Sequence, residues 1–119
     1  MEEIDFDIDS FGDIIDKDPR YNARAYALLM DCVHTLSKDG RSFSAEDIME
    51  EFKESAIEQY GPLTYTVLTE WGLSCTEDLG EMMFNLSETP RIKRGKNDNR
   101  ESFMGGYDFK ETFLTPYQA

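Results

Sequence analysis

The chain has 119 residues, and 25 acidic against 12 basic side chains give a formal net charge of −13. That length suits one domain, and at 39% hydrophobic residues it can bury about two thirds of its unfolded surface around a core. No apolar run approaches the roughly 20 residues that cross a bilayer, the opening MEEIDFDIDS is acidic where a secretory signal is basic and then apolar, and Cys32 and Cys75 match neither a disulfide scaffold nor a zinc spacing. A reduced, cytoplasmic protein without a membrane partner is expected.

Residues 4 to 15 carry two patterns. Ile4, Phe6 and Ile8 alternate with aspartates as in a strand, whereas Ile4, Ile8, Phe11 and Ile15 share one helical face; the longer pattern predicts a helix, weakened by Gly12. Asp18-Pro19 then reads as a helix start, with the carboxylate as cap and proline in the first turn. Tyr21, Ala25, Leu28, Leu29, Cys32 and Leu36 form one stripe of that helix, and Tyr26, Met30 and Val33 a second. It is therefore predicted to be the most buried helix, ending near Gly40.

Ser44 and Asp47 make a near capping box for a third helix, with Phe43 stapled on Ile48 and with Ile48, Phe52, Ala56 and Tyr60 facing inward. Gly61-Pro62 ends it and starts a short helix carrying Leu63, Val67, Leu68 and Trp71, which Gly72 terminates. Thr76 is predicted to cap a fifth helix, with Glu77 and Asp78 in its first turn and Leu79, Met82, Met83 and Leu86 buried. Beyond Pro90 the sequence RIKRGKNDNR holds five of the twelve basic residues. Asp98 and Glu101 suit a short helical turn, and Tyr107 to Phe109 suit a strand pairing back near Ile92.

Little in this pattern points to catalysis. His34 is the only histidine, and two residues along a helix from Cys32 it points to a different side, so no Cys-His pair is expected. There is no phosphate loop, HExxH or GxSxG. The acidic segment DFDIDSFGD lacks the bidentate glutamate of a calcium loop, and its carboxylates read as a solvated face. The helix ending at Trp71, the Gly72 turn and the following helix resemble a helix-turn-helix, with the basic stretch where a wing would sit. However, the fifth helix exposes Glu77, Asp78, Glu81, Asn85 and Glu88 and no cation, which phosphates would repel.

The segments DPRY (18 to 21), AYALLMD (25 to 31), EQYGPL with the later WG (58 to 72), TEDLGEMMFNL (76 to 86) and Tyr107-Asp108-Phe109 together resemble a family of small uncharacterised bacterial proteins. Its pattern runs DpRY, AY-F, FGP-x-VL-x2-WG, T-D-G-VFNL and YDF. The resemblance spans roughly residues 11 to 113 and implies a shared fold without an activity. The family's histidine-containing segment before the third helix is replaced here by Arg41-Ser42-Phe43-Ser44, so no role for that histidine carries over. The physical readings of the shared residues are structural: Trp71 anchors a core, Gly72 turns a helix end, and Asn85 near an apolar seam needs polar partners if buried.

The expected architecture is mainly α with a minor β part (α+β). About five helices carry a small C-terminal β-hairpin or wing, distantly winged-helix-like. Residues 1–113 make a single domain with a basic wing-like segment at 89–109, and 114–119 form a tail. The expected function is that of a non-enzymatic adaptor that uses a charge-polarised surface, with Arg91, Lys93, Arg94, Lys96 and Arg100 contacting a partner. The partner is expected to be a protein, with RNA or DNA as the alternative through the same residues. No catalytic residue, metal or cofactor is assigned. Homodimerisation through Phe113, Leu114 and Tyr117 stays open.

Overall fold

The computed structural model describes residues 11–38, 40, 43–89 and 100–117. Its first helix, α1 (Gly12–Lys17), is short, with Phe11 at its N-cap and Ile14 buried. The expected helical or strand residues 4–10 lie outside the described set. Gly12 is thus the first residue of the helix and not an interior weak point. Helix α2 (Ala23–Ser37) starts later than the Asp18-Pro19 signal predicts. Asp18 ends α1 in an extended conformation, and Asn22 caps α2 by accepting the Arg24 amide at 2.8 Å. The aspartate fails as a cap because its carboxylate is held by Arg20, and Asn22 takes over a role for which its side chain is equally suited.

Helix α3 (Ala45–Tyr60) has the predicted capping box. The Asp47 amide donates to the Ser44 hydroxyl at 3.2 Å, and the Ser44 amide donates to the Asp47 carboxylate at 2.9 Å. Ile48, Phe52 and Ala56 are buried as expected, and Gly61, at φ +50°, ends the helix. A 3-10 turn, Gly61–Leu63, intervenes before α4 (Thr64–Glu70) and shifts its phase. Leu63, one of the apolar residues read onto this helix, is 64% exposed, and Thr64 is buried instead. The Thr64 hydroxyl pays for that position by donating to the Gly61 carbonyl at 2.6 Å.

Helix α5 (Thr76–Ser87) begins one residue before the expected cap, at Cys75. Thr76 sits in the first turn and is fully inside: its hydroxyl donates to the Phe103 carbonyl at 2.7 Å and accepts the Gly106 amide at 3.1 Å. A 3-10 turn, Arg100–Phe103, packs on α5, in keeping with the short helical turn expected there. The strand expected over Tyr107 to Phe109 is not formed. Asp108 accepts the Glu111 amide at 2.9 Å and caps α6 (Phe109–Phe113), which takes Phe109 into a helix. Among the described residues there is no strand; the hairpin partner near Ile92 lies outside them. The protein is mainly helical, and no helix in the described residues is long and apolar enough to cross a membrane.

The core runs through all of these elements. α2 packs on α3, α3 on α4, and α4 on α6. Tyr26 is its centre, stacked on Phe11 at 5.8 Å and met edge-on by Tyr21 at 6.4 Å. Tyr60 meets Trp71 edge-on at 5.6 Å, and Tyr107, Phe109 and Phe113 form a third aromatic group. Phe113 is fully buried in its own domain, which removes it from any dimer surface, whereas Tyr117 is 43% exposed.

Two positions make this arrangement testable. Gly72 has φ +97°, and a Cβ added there would lie 2.2 Å from the Arg20 carbonyl oxygen. A left-handed backbone and a clash with backbone act together, so Gly72→Ala should cost about 2–4 kcal/mol in urea unfolding. On α3, Glu46, Glu50, Glu54 and Glu58 are all exposed and follow one another at i, i+4 spacing, with Lys53 as the helix's one basic residue. Each adjacent pair is repulsive by about 0.2–0.5 kcal/mol. Glu54→Gln removes two such pairs and should raise stability by roughly 0.4–1 kcal/mol at low ionic strength, with the gain shrinking in high salt.

Candidate functional site

The turn between α1 and α2 brings together most of the polar residues of the DPRY and TEDLGEMMFNL segments. Gly72 lacks a side chain, so the chain at Arg20 passes directly over it, and the Asn22 amide donates to the Trp71 carbonyl at 3.0 Å. That contact fixes residues 18–22 against the polar face of α5. Arg20 grips Asp18 with two parallel bonds, Nε to Oδ1 at 2.8 Å and Nη2 to Oδ2 at 2.7 Å, and Nη2 also reaches Glu81 at 3.2 Å. Asn85 donates to Asp18 Oδ2 and to the Tyr26 hydroxyl oxygen, both at 3.0 Å. The Tyr21 hydroxyl donates to Asp78 Oδ1 at 2.6 Å, while Asp78 Oδ2 accepts the Ser74 amide at 2.8 Å.

Asp78, Glu81 and Asn85, expected on a freely exposed face of the fifth helix, are therefore half-buried beneath this turn. The need of Asn85 for polar partners was legible in the sequence; the identity of those partners, 59 and 67 residues away, was not. Phe84, next to it, is the exposed aromatic of that helix. No buried side-chain polar atom among the described residues lacks a hydrogen-bond partner.

The electrostatics of the cluster are those of a clasp. The Arg20 guanidinium holds the Asp18 carboxyl well below the usual carboxylate range, against an opposing push from burial. Burial, aided by the Asp78 carboxylate, drives the Tyr21 hydroxyl well above the usual phenol range, and burial also raises Tyr26. These groups are thus moved away from neutrality, whereas proton transfer in catalysis favours a group poised near the working pH. Elsewhere, Cys32 is buried and its thiol is pushed up to about 12 by desolvation. His34 is exposed on another side of α2, so the two do not converge. No group of three or more His, Cys, Asp or Glu among the described residues is placed to hold a metal ion.

Of the residues expected to contact a partner, Arg91, Lys93, Arg94 and Lys96 lie outside the described residues, as does the side chain of Arg100. Arg100 itself opens the 3-10 turn seated on α5, and Thr89 closes the opposite end of that helix through its hydroxyl bond to the Leu86 carbonyl at 2.7 Å. The described residues that flank the basic stretch, Thr89 and the Arg100–Phe103 turn, thus both adjoin α5. A second surface feature was not foreseen from sequence. An open groove of about 460 Å³ separates the first turns of α3 from the loop at 102–107. Glu46, Asp47 and Glu50 line one side, and Ser102, Met104, Gly105 and Gly106 the other, over Met49 and Tyr107. Comparison with protein-family models, with curated proteins and with solved structures finds no match.

The clasp predicts a pH dependence. A carboxyl whose folded pKa is depressed stabilises the fold fully above its unfolded value, which is 3.8 for aspartate, and loses that contribution as pH falls toward the folded value. Asp18→Asn should cost about 1–3 kcal/mol at pH 7, the range for hydrogen bonds to a charged group. The gap between the variant and the wild type should close as the pH is lowered from about 4.5 to about 2. Urea titrations across that range check it, and a gap independent of pH would show that Asp18 acts through packing alone.

Proposed function

We propose that the chain is a non-enzymatic cytoplasmic adaptor that docks on another protein by charge, through Arg91, Lys93, Arg94, Lys96 and Arg100. The observation that carries this reading is the segregation of charge along the sequence. Residues 89–100 hold five basic side chains and one acidic one, a net of +4, so the rest of the chain holds −17. A cationic protrusion on an anionic body orients approach and selects an anionic patch, and it raises association rates more than it raises final affinity.

Two features of the folded body support the same reading. The polar groups that converge in the clasp satisfy one another, which suits a rigid platform. The described residues on either side of the basic stretch, Thr89 and the Arg100–Phe103 turn, also both adjoin one helix, α5. The second reading, contact with ribosomal or other RNA through residues 91 to 100, is favoured only by the sign of that segment. The acidic residues Glu77, Asp78 and Glu81 on α5, and Glu88 at its end, argue against laying this helix into a DNA groove.

Capture of the tagged chain from its native lysate, with and without nuclease, separates the two readings. The variant Arg91→Glu/Lys93→Glu/Arg94→Glu/Lys96→Glu is run beside it. A protein partner retained after nuclease, released by salt and lost in the reversal is the expected result. Recovery only with intact RNA would establish the second reading, and a partner indifferent to both salt and the reversal would overturn the mechanism.

A further inference from the structure

The groove between α3 and the 102–107 loop has a composition that selects one kind of occupant. Its floor and outer wall offer thioether and aromatic surface: Met49, the Tyr107 ring, and Met104, which is 63% exposed. Its α3 rim offers only carboxylates, from Glu46, Asp47 and Glu50, and no lysine or arginine lines it. Asp47 is committed to the capping box, which leaves Glu46 and Glu50 facing the opening. The chain itself demonstrates what this wall binds. The Lys53 ammonium lies 5.7 Å from the centroid of the Tyr107 ring and 3.0 Å from Glu50 Oε2, so a ring face and a carboxylate of the groove already hold one cation from the side.

Backbone shape keeps the groove open. A Cβ at Gly106 would lie 2.7 Å from the Met49 sulfur and under 3 Å from Thr76, so a side chain there would have to displace both for the loop to stay this close to α3 and α5. The Tyr107 hydroxyl donates to the Met49 carbonyl at 2.9 Å, which fixes the ring as the floor. Beyond the groove, the exposed column continues to Glu54 and Glu58, one helical turn apart each time. A column of like charges costs the helix stability, and a cationic partner laid along it would relieve that repulsion.

We propose that this groove and the α3 column form a docking surface for a lysine-bearing segment of a partner protein. One lysine lies in the groove with its aliphatic stem along Met104 and Tyr107 and its ammonium between Glu46 and Glu50, and the following basic residues pair with Glu54 and Glu58. Long cationic side chains suit such a site because the stem buries apolar surface while the head stays paired. The surface is independent of the basic stretch at 91–100, whose role it neither needs nor excludes.

The test uses the full chain and a labelled synthetic peptide of about twelve residues with lysine at every fourth position, matching the spacing of the column. Binding is read by fluorescence anisotropy at about 50 and about 300 mM salt, because exposed ion pairs weaken over that range. Glu46→Gln/Glu50→Gln and, separately, Met104→Ser should each weaken binding, the first by about tenfold or more. The control Asp16→Asn/Glu111→Gln removes the same charge from exposed positions away from the groove and should leave affinity within about twofold. Circular dichroism checks that each variant is folded. Equal loss in the control would reduce the effect to net charge and overturn the site, as would unchanged binding by the groove variants or no binding by the wild type. A groove-dependent dimer of the chain alone in sedimentation would also overturn it, by giving the surface to a second copy.

Discussion

Everything around the polar clasp depends on one close approach of backbone to backbone, where Arg20 crosses Gly72. No residue with a side chain fits that crossing, because the space a Cβ would take is filled by a carbonyl oxygen. Once the crossing is made, Asn22 reaches the Trp71 carbonyl, α2 starts in the right place, and the 18–21 turn comes to rest on α5. The hydrogen bonds from Arg20, Tyr21 and Asn85 are then consequences of position. They add directional specificity to a contact that steric fit has already allowed.

Much of this was legible in the sequence wherever the signal was local. The Ser44–Asp47 box, the Gly61-Pro62 break and the double apolar stripe of α2 from Ala25 onward all rest on neighbouring residues of the chain, and they formed as read, with Tyr21 falling in the turn before the helix. The failures share a different cause. Asp18 had the right chemistry for a cap but was claimed by Arg20 and, across 67 residues, by Asn85. Leu63 reads onto the short helix with Val67, Leu68 and Trp71, but it falls in a 3-10 turn that shifts the phase and puts Thr64 inside. Tyr107 to Phe109 looked like a strand because aromatic residues favour one, yet Asp108 supplies a cap and α6 begins. In each case a competing side-chain bond or a change of helical type overrode propensity, and neither is visible in a window of neighbours. The DPRY and TEDLGEMMFNL segments were recognisable as patterns, but only the fold shows that they touch. The groove left no trace in the sequence, because its two walls come from positions about 55 residues apart whose meeting depends on Gly106 packing against Met49 and Thr76.

The surface chemistry is uneven in the same way. The α5 carboxylates Asp78 and Glu81 are drawn into the clasp, where Tyr21 and Arg20 occupy them. On α3, Glu46, Glu50, Glu54 and Glu58 face solvent in a row that weakens their own helix, with Lys53 paired to Glu50. A protein shaped only for stability would interleave lysines there, as i, i+4 pairing of opposite charge is easily arranged. The contrast between neutralised and unneutralised acid is therefore a property of where each helix sits, and it divides the molecule into an inward face that holds the fold and an outward face that carries charge at some cost.

Helix α5 also acts as a spacer. Its 12 residues set Thr89 and the Phe103 carbonyl, which Thr76 holds, about 18 Å apart along the axis. The 13 residues between them could reach more than twice that far if extended, at about 3.3 Å each. Chain length between the two anchors is thus in surplus, and changing it by a few residues alters closure entropy by only tenths of a kcal/mol. Length is therefore a weak constraint between the two anchors, and a few added residues cost the fold little so long as the basic side chains that the proposed contact uses are kept.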